Sequence, residues 1–417
     1  MNRGNKPKKV FVAMSGGVDS SVAALLLKRK GYEVIGVFMR CFNVDGCAEK
    51  DAEDARRVAE KLKIPFYVWD FEKEYKKRVV DYMVSGYREG ITPNPDVMCN
   101  REIKFGLFLK KALAMGADYV ATGHYVRLAS RRISTGTGRL FAPAAKSGLD
   151  SRRIESRRAS GHQAQSVSET FRAKYGEKLV FCLFEAKDRN KDQSYFLWTL
   201  TQEQLKRCLF PIGDYLKSEV RVIAGKAGLA TAAKKDSQGI CFLGKVKLGD
   251  FLTRYIPEKR GVVLNAQGEK IGEHSGSYFY TIGQRHGLAL SGRRSASGLK
   301  ETQPLYVAEK NVKTNTLVIA EGEDNPALFK KEIQLAETNL IYPFYSNVLK
   351  NIRIAENKIK VLARVRYRQP LTSAVLKLVS KQRAGLVFDK PQKFVASGQS
   401  AVFYSRQGEM LGGGVIK

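Results

Sequence analysis

Long apolar runs are missing from this sequence. No segment approaches the about 20 apolar residues that cross a bilayer. The basic first residues, Met1 to Lys9, lead directly into an apolar segment at Val10, without the longer apolar core of a signal peptide. We therefore expect a cytoplasmic protein with no membrane partner.

Paired cysteine motifs are missing as well. The chain has six cysteines, and none of them forms a Cys-x-x-Cys pair. A disulfide framework is not expected in a long cytosolic chain, and most of these residues should be small buried apolar groups. The six are Cys41, Cys47, Cys99, Cys182, Cys208 and Cys241.

Acidic residues are scarce relative to basic ones. The chain of 417 residues has 41 Asp and Glu against 72 Lys and Arg, a formal net charge of +31. A surplus of this size favours a polyanionic partner, and nucleic acid is the first expectation. A basic protein of the membrane surface is the competing interpretation. The length predicts two or three domains.

One turn carries the strongest local signal. Residues 10–21 read Val-Phe-Val-Ala-Met-Ser-Gly-Gly-Val-Asp-Ser-Ser, and a helix is predicted over Val22–Lys30. Gly16 and Gly17 let backbone N–H groups approach an anion, and the following helix adds its positive end. Ser15, Ser20 and Ser21 add hydroxyl donors. The turn is therefore interpreted as a phosphate cradle; the alternative is a Gly-rich turn that binds nothing.

Two familiar nucleotide motifs are absent from this turn. It lacks the Gly-Lys-Ser/Thr of a Walker loop and the Gly-x-Gly-x-x-Gly of a dinucleotide fold. Asp19 stands where a Walker loop would have a lysine. A carboxylate beside phosphates suggests a metal ion between them, and Mg²⁺ held by the nucleotide fits best.

The apolar pattern changes along the chain. From Val10 to about Val126, predicted strands alternate with amphipathic helices, which favours a doubly wound parallel sheet with its ligands at the carboxyl ends of the strands. From about Gly261 onward, short strands separated by turn residues predict a β-rich half that ends in a barrel. The predicted strands are Tyr278–Ile282, Leu305–Ala308, Leu317–Ala320, Ile359–Tyr367, Ala374–Val379, Leu386–Phe388 and Ser400–Tyr404.

Residues 129–178 interrupt the alternation. They contain 11 Lys and Arg against 4 Asp and Glu and show no periodicity. We interpret them as a flexible basic insertion. Whether it folds or contacts RNA stays open.

Two cysteines lie in settings that suggest chemistry. Cys99 follows the extended Pro93-Asn-Pro95 segment and lies at or near the N-terminus of a predicted helix, with basic neighbours. A helix N-terminus and nearby basic residues both lower a thiol pKa. Cys241 lies in a basic, glycine-containing segment. Two poised thiols can support persulfide chemistry or a transient disulfide. The alternative for each is a structural cysteine.

Three further groups of polar residues are candidates for RNA contact. The run Lys191-Asp-Gln-Ser-Tyr-Phe places polar side chains before an aromatic pair. Residues 364–369 alternate basic and aromatic side chains on a late strand, as an RNA-binding face would. His124 is interpreted either as a hydrogen-bond donor near the nucleotide or as a loop histidine.

Taken together and in this order, the motifs resemble one family. They are Ser15–Ser21, Asn94-Pro95-Asp96 with Cys99, Ala121-Thr-Gly-His-Tyr, Lys191-Asp-Gln-Ser-Tyr-Phe, Asp236-Ser-Gln-Gly-Ile-Cys, Thr281-Ile-Gly-Gln-Arg-His-Gly-Leu and Gly398-Gln-Ser-Ala-Val-Phe-Tyr. The chain resembles the tRNA-specific 2-thiouridylases of bacterial type, within the PP-loop ATP pyrophosphatase superfamily. The likeness covers nearly everything outside residues 129–178.

The resemblance implies three domains. They are a PP-loop (adenine nucleotide alpha hydrolase-like) catalytic domain over residues 1–244, a small central β-rich domain over 245–302 and a C-terminal β-barrel domain over 303–417. It also implies ATP and Mg²⁺ as cofactors. Its implied partners are the anticodon arm of tRNA and a sulfur-donor protein such as a cysteine desulfurase or a sulfur relay protein.

The resemblance also implies roles for single residues. Catalysis would involve Asp19, Cys99 as the nucleophile and Cys241 as the persulfide carrier, with a transient Cys99–Cys241 disulfide. ATP would contact Ala13, Met14, Ser15, Gly16, Gly17, Val18, Asp19 and Ser20, with the adenine near Met39 and Gly123. The tRNA would contact Asn94, Pro95, Asp96, His124, Lys191, Asp192, Gln193, Arg366, Tyr367 and Gln399.

Three alternatives remain at this point. Cys41 and Cys47, with Cys99 and Cys241, could hold a metal or an iron–sulfur cluster, although their spacing matches no recognised ligand pattern. Another PP-loop enzyme, such as an amidotransferase-type synthetase or a lysidine-forming tRNA ligase, would need no paired cysteines. A non-catalytic basic RNA-binding protein would not consume ATP.

Overall fold

The computed structural model describes residues 6–42, 44, 46, 48–134, 177–235, 246–285, 303–341, 358–380 and 382–417. The strands are β1 (Lys9–Ala13), β2 (Glu33–Arg40), β3 (Phe66–Asp70), β4 (Tyr119–Ala121), β5 (Val126–Ser134), β6 (Glu177–Glu185), β7 (Cys208–Leu209), β8 (Gly261–Leu264), β9 (Lys270–His274), β10 (Leu305–Asn311), β11 (Thr316–Glu321), β12 (Phe329–Leu340), β13 (Lys358–Arg364), β14 (Thr372–Ser380), β15 (Arg383–Lys393), β16 (Ser400–Tyr404) and β17 (Glu409–Ile416).

The α-helices of the described part lie within the first 252 residues. They are α1 (Val18–Arg29), α2 (Ala48–Leu62), α3 (Glu72–Tyr75), α4 (Asp81–Arg88), α5 (Pro95–Met98), α6 (Leu109–Ala114), α7 (Gln202–Leu205), α8 (Lys217–Lys226) and α9 (Leu248–Leu252). Wider π-helical turns, Lys76–Val80 and Cys99–Phe108, join α3 to α4 and α5 to α6. Within the described ranges, no helix is long and apolar enough to cross a membrane.

The first half forms a five-stranded parallel sheet in the order β3-β2-β1-β4-β7. Side chains of β1 alternate between two cores: Phe11 and Ala13 enter one, and Val10 and Val12 enter the other. Both faces of the sheet are therefore covered, as in a doubly wound fold. This confirms the predicted fold class for the first half.

The last third closes into a barrel. Strands β12-β15-β14-β13-β16-β17 are neighbours in one sheet, and β12 also pairs with β17. The other edge of the sheet continues into the β5–β6 hairpin, because Glu409 and Met410 of β17 pair with Phe184 and Leu183 of β6. The predicted C-terminal barrel is confirmed.

The hairpin corrects the limits of the predicted insertion. Residues 129–134 lie in β5 and residues 177–178 in β6, with Val126 opposite Glu185 and Ser134 opposite Glu177. Arginines and serines interrupt the apolar pattern at the two ends, so the sequence predicts no strand there. Backbone pairing nevertheless orders both ends. Residues 135–176 lie outside the described residues.

A third, four-stranded sheet has the order β10-β11-β8-β9. It unites strands on both sides of residue 302, where the sequence analysis placed a domain limit. The predicted strand Tyr278–Ile282 is wrong: Ser277–Phe279 form a 3₁₀ turn instead, closed by the Phe279 N–H to the Gly276 carbonyl at 3.1 Å. Tyr280 still packs in the core of this sheet, which explains the strand-like apolar pattern.

A buried ion pair ties the barrel to the segment before α7. Arg364, at the end of β13, donates to Asp192 Oδ2 at 2.8 Å and to Glu185 Oε1 at 3.2 Å. The three side chains are each less than a tenth exposed. Next to them, the Ser194 hydroxyl lies 2.9 Å from the Tyr404 hydroxyl. The charges are compensated where water is absent, so each depends on the others.

Replacing Arg364 should expose this dependence. In Arg364→Met, Asp192 loses its cation and Glu185 keeps only the largely exposed Arg189, and we expect the free energy of unfolding to fall by about 3–5 kcal/mol. Urea denaturation measures it. The matched control is Lys377→Met in β14, whose ammonium lies 3.9 Å from the exposed Glu332 and should change stability by less than about 0.5 kcal/mol. Equal losses in the two variants would contradict the argument.

Candidate active site

The glycine–serine turn lies between β1 and α1, at the carboxyl end of the parallel sheet. β1 ends at Ala13, and the Met14 N–H continues the pairing by donating to the Val37 carbonyl at 2.8 Å. Gly16 has a φ of +71°, and a Cβ there would lie 2.3 Å from the Asp51 carbonyl oxygen of α2. Glycine is therefore required at this position by both conformation and space.

The hydroxyls of the turn are used mainly inside the chain. Helix α1 begins at Val18, four residues before the predicted start, so Ser20 and Ser21 lie in its first turn. Both donate to the Gly17 carbonyl, at 3.1 and 2.8 Å, and Ser20 Oγ also accepts from the Ser15 N–H. Ser20 and Ser21, predicted as hydroxyl donors to the anion, donate inside the chain in this structure, and Ser15 is the exposed serine of the three.

Gly123 lies directly on this turn. It follows β4, and a Cβ on it would lie 2.6 Å from the Ser20 nitrogen and 2.8 Å from the Asp19 carbonyl carbon. Met39 lies near the end of the neighbouring β2, opposite Trp69 of β3, and is partly buried. The turn, Gly123 and the end of β2 therefore share one edge of the sheet, as the sequence pattern predicts.

Asp19 is held by two partners that are distant in sequence. Both of its carboxylate oxygens lie 2.8 Å from the Lys217 ammonium of α8, and the Tyr125 hydroxyl donates to Oδ1 at 2.7 Å. The sequence analysis missed Lys217 and Tyr125. No local motif marks Lys217, which becomes part of the site through the packing of α8 against α1.

Cys99 lies one turn inside a continuous helical run over residues 95–114 and is buried. Burial raises the pKa of its thiol and nearby Asp96 raises it further, while Lys104 and a hydrogen bond with Tyr75 oppose the shift. The expectation of a lowered pKa is wrong for this conformation. The extended proline entry was expected to keep Cys99 out of the core, but Pro95 itself is buried.

The segment before Cys99 is built into the protein from two sides. Asn94 caps α5, its Oδ1 accepting from the Val97 N–H at 3.2 Å. Gln399, from the loop before β16, donates to the Thr92 and Pro93 carbonyls at 2.9 and 3.2 Å. The Gln399 side chain thus anchors the approach to Cys99.

His124 links the Cys99 helix to the nucleotide turn. It follows Gly123, its ring lies 6.0 Å from the ring of Phe105, and Nδ1 lies 2.8 Å from Thr122 Oγ1. Burial, and then Lys104, hold the pKa of His124 well below its usual value, so the ring is neutral. Of the two interpretations of His124, a packed loop histidine describes this conformation.

Several other predicted RNA contacts serve the fold in this conformation. Asp192 is part of the buried ion pair, and Gln193 Oε1 accepts from the Tyr125 N–H at 3.0 Å. Arg366 donates to the carbonyls of Phe394 and Ile282. Arg364 is buried at the end of β13 and residues 365–369 follow the strand, so Arg364 itself is not on an exposed face; RNA contact by the rest of this segment stays a prediction. Lys191 and Tyr367 keep part of their surface exposed, and Tyr367 packs on Phe196 with ring centroids 4.5 Å apart.

Two predicted cysteine positions, Cys47 and Cys241, lie outside the described residues. In the described part, Cys99, Cys182 and Cys208 carry free thiols. Within that part, no group of three or more His, Cys, Asp or Glu is arranged to hold a metal ion. A magnesium ion at the turn would therefore have Asp19 as its protein ligand and take its other ligands from phosphates and water.

The fold and the turn define the class of protein. A glycine–serine turn between the first strand and first helix of a parallel sheet, with neither a Walker lysine nor a dinucleotide fingerprint, belongs to the PP-loop type of nucleotide-binding domain. Family models match along the chain: a tRNA methyl transferase HUP domain at residues 8–147 and 138–245, a tRNA methyl transferase PRC-barrel domain at 249–321 and an aminomethyltransferase beta-barrel domain at 333–416.

Full-length relatives narrow this class to one family. The chain is 38% identical to the tRNA-specific 2-thiouridylase MnmA of Christiangramia forsetii, over 98% of this chain and 100% of the relative. It is 41% identical to that of Bacillus licheniformis (98% and 94%) and 40% identical to that of Geobacillus thermodenitrificans (100% and 96%). The chain belongs to the tRNA-specific 2-thiouridylase family.

Two glycines test the construction of the turn. In Gly16→Ala the new methyl group meets the Asp51 backbone, so we expect ATP to bind at least about tenfold more weakly and the protein to lose stability. The control is Gly31→Ala, after α1, where φ is +82° but no atom lies within 4 Å of the added Cβ. It should cost about 1 kcal/mol and leave ATP affinity unchanged. Calorimetric titration with ATP separates the two, and equal affinities would contradict the close-packing argument.

The pKa of the Cys99 thiol should lie above that of a free cysteine. Because its pKa is raised, it stays protonated at neutral pH, and its thiolate forms only as pH rises through the raised value. We expect the pH profile of iodoacetamide labelling, followed on the Cys99 peptide by mass spectrometry, to have a midpoint above that of a free cysteine peptide. Lys104→Gln should move the midpoint further up. A midpoint below that of a cysteine peptide would contradict the structure.

Proposed function

We propose that this chain catalyses the ATP-dependent 2-thiolation of the wobble uridine of tRNA. The relatives named above are tRNA-specific 2-thiouridylases, and the PP-loop class uses ATP. The observation that best supports the proposal is one line of contacts. The nucleotide turn touches Gly123, the next residue His124 packs on Phe105, and Phe105 lies on the helix that carries Cys99.

The first proposed step is adenylation. The C2 oxygen of the uridine attacks the α-phosphorus of ATP, the bond from that phosphorus to the bridging oxygen breaks, and pyrophosphate leaves with the electron pair. The product carries AMP on C2, which converts a poor leaving group into a good one. The N–H groups at the start of α1 would bind the phosphates. We propose Mg²⁺ as the accompanying ion, with Asp19 as its protein ligand.

The second proposed step transfers sulfur. The terminal sulfur of a persulfide on Cys241 attacks C2, and AMP leaves with the bonding electrons. The Cys99 thiolate then attacks Cys241 Sγ. The bond between Cys241 Sγ and the sulfur on C2 breaks, and its electron pair stays on the sulfur of the new 2-thiouridine. A Cys99–Cys241 disulfide remains. A thiol reductant and a sulfur-donor protein, such as a cysteine desulfurase or a sulfur relay protein, would restore the persulfide.

The buried state of Cys99 suits this order. A protonated thiol in the core does not react early with the persulfide or with other oxidants, since the thiolate is the reactive form. In this scheme Cys99 is needed last, after the base and Cys241 have come together. We therefore propose that tRNA binding changes the surroundings of Cys99, with the Asn94–Asp96 segment around the target base.

The remaining predicted tRNA-contact residues form two groups, one with exposed surface and one bonded inside the protein. Lys191 and Tyr367 have exposed surface and suit direct contact with the anticodon arm. For His124, Asp192, Gln193, Arg366 and Gln399, the internal bonds described above favour positioning of the neighbouring segments. The net charge of +31 suits salt-sensitive binding to the RNA backbone. We propose that the reaction takes place in the cytoplasm.

The tRNA methyl transferase descriptions of two matching family models suggest a second activity, methyl transfer. The turn argues against it, because an anion-binding helix start with a half-exposed carboxylate suits a nucleotide triphosphate better than a methyl donor without phosphates. The two activities are separable by their second substrate. Thiolation consumes ATP and forms AMP and pyrophosphate, whereas methylation consumes S-adenosylmethionine.

The test uses tRNA from cells that lack their own 2-thiolation enzyme. With ATP, a sulfur donor and a thiol reductant, the full chain should form 2-thiouridine, detected by nucleoside mass spectrometry, and release pyrophosphate. Cys99→Ser and Cys241→Ser should each abolish the thiolated base. Cys41→Ser is the matched control and should keep activity; its loss would favour the metal-cluster alternative. A methylated base, or no ATP consumption with folded protein, would overturn the proposal.

A further inference from the structure

A lysine from a distant part of the chain reaches the nucleotide turn. Lys217 is the first residue of α8, and its ammonium lies 2.8 Å from both carboxylate oxygens of Asp19, the second residue of α1. The two residues are 198 positions apart. The turn that lacks a Walker lysine in sequence therefore receives a lysine in space.

The position of this lysine is built by several contacts. The Lys217 N–H donates to Asp188 Oδ2 at 2.9 Å, and its ammonium lies 5.8 Å from the centroid of the Tyr125 ring. The Tyr125 hydroxyl binds the same carboxylate from another side. The Lys217 side chain is 12% exposed and that of Asp19 is 32% exposed. Much of the entropy cost of ordering the ammonium is thus met before any ligand arrives.

The positive charge of Lys217 matters for phosphate binding at the turn. An isolated carboxylate at a phosphate-binding turn would repel phosphates, and Lys217 compensates that charge. The turn itself stays accessible, because Ser15 is exposed and Gly17 is half-buried. Resting on the function proposed above, we propose that Lys217 is the cation that binds the phosphates of ATP that leave as pyrophosphate, and that Asp19 is its positioning residue.

The proposal has a kinetic consequence. When the bond from the α-phosphorus to the bridging oxygen breaks, negative charge grows on the leaving pyrophosphate. An ammonium already placed at the turn stabilises that charge more than it stabilises bound ATP, so it accelerates adenylation as well as strengthening binding. A purely structural pair between α1 and α8 would do neither.

The experiment measures ligand binding without tRNA or sulfur. Inorganic pyrophosphate, and separately ATP, are titrated calorimetrically with magnesium into the full chain and into Lys217→Met. A charge-assisted hydrogen bond predicts that pyrophosphate binds about tenfold to a hundredfold more weakly to the variant. The matched control is Lys187→Met, which removes an exposed lysine paired with Glu219 of the same helix and should bind like wild type. Unchanged binding in folded Lys217→Met would overturn the proposal.

Asp19→Asn separates the two roles of the carboxylate. If Asp19 positions Lys217, the asparagine keeps a hydrogen-bond acceptor, and pyrophosphate affinity measured without magnesium should change by less than about fivefold. A larger loss of affinity without magnesium would contradict the positioning role, whereas a loss seen only with magnesium belongs to the magnesium role proposed above. This arm decides the question also if Lys217→Met does not fold, which circular dichroism would show. Wild-type protein that binds neither pyrophosphate nor ATP would overturn the proposed function itself, and this inference with it.

Discussion

The ion pair of Arg364 with Asp192 and Glu185 is the constraint on which the arrangement of the two halves depends. Charges removed from water must stay paired, so the end of β13 and the segment before α7 hold one relative position. The same segment donates from Tyr195 to the Ser400 carbonyl and from Trp198 to Ser400 Oγ. The barrel is thereby attached next to the residues that lead to Cys99, and the loop carrying Gln399 reaches the Thr92 backbone.

The nucleotide turn is held by hydrogen bonds within itself rather than by a buried ion pair. Its serines and its first helical turn are bonded among themselves, which leaves backbone N–H groups and one compensated carboxylate facing the open edge of the sheet. Lys217 gives the turn a positive charge without placing a lysine in the loop. Cys99 is buried, and its thiol is protonated at neutral pH. The proposed phosphate site and the proposed sulfur nucleophile are thus linked through His124 and Phe105 and differ in exposure.

Strands and helices with a clear apolar period were predictable, and so was the order of sheet and barrel. The failures have identifiable causes. β17 was missed because glycines 412–414 remove the alternating apolar pattern, while backbone pairing on both edges still orders the strand. Residues 278–282 look like a strand because Tyr280 is buried, yet Gly276 with a φ of +150° turns the chain before it. The ends of the insertion are ordered by pairing with each other in the β5–β6 hairpin, across a segment of more than 40 residues.

For the site, local chemistry was readable from the sequence: the glycines of the turn, the position of Gly123 at the end of a strand and the candidate cysteine. What a side chain meets after folding was not, because partners such as Lys217 for Asp19, Arg364 for Asp192 and Thr92 for Gln399 come from segments far along the chain. Burial reverses the sign expected from neighbours in sequence, as the raised pKa of Cys99 shows. Charge pairing and desolvation act through space, so the residue types follow from the sequence and their states from the packing.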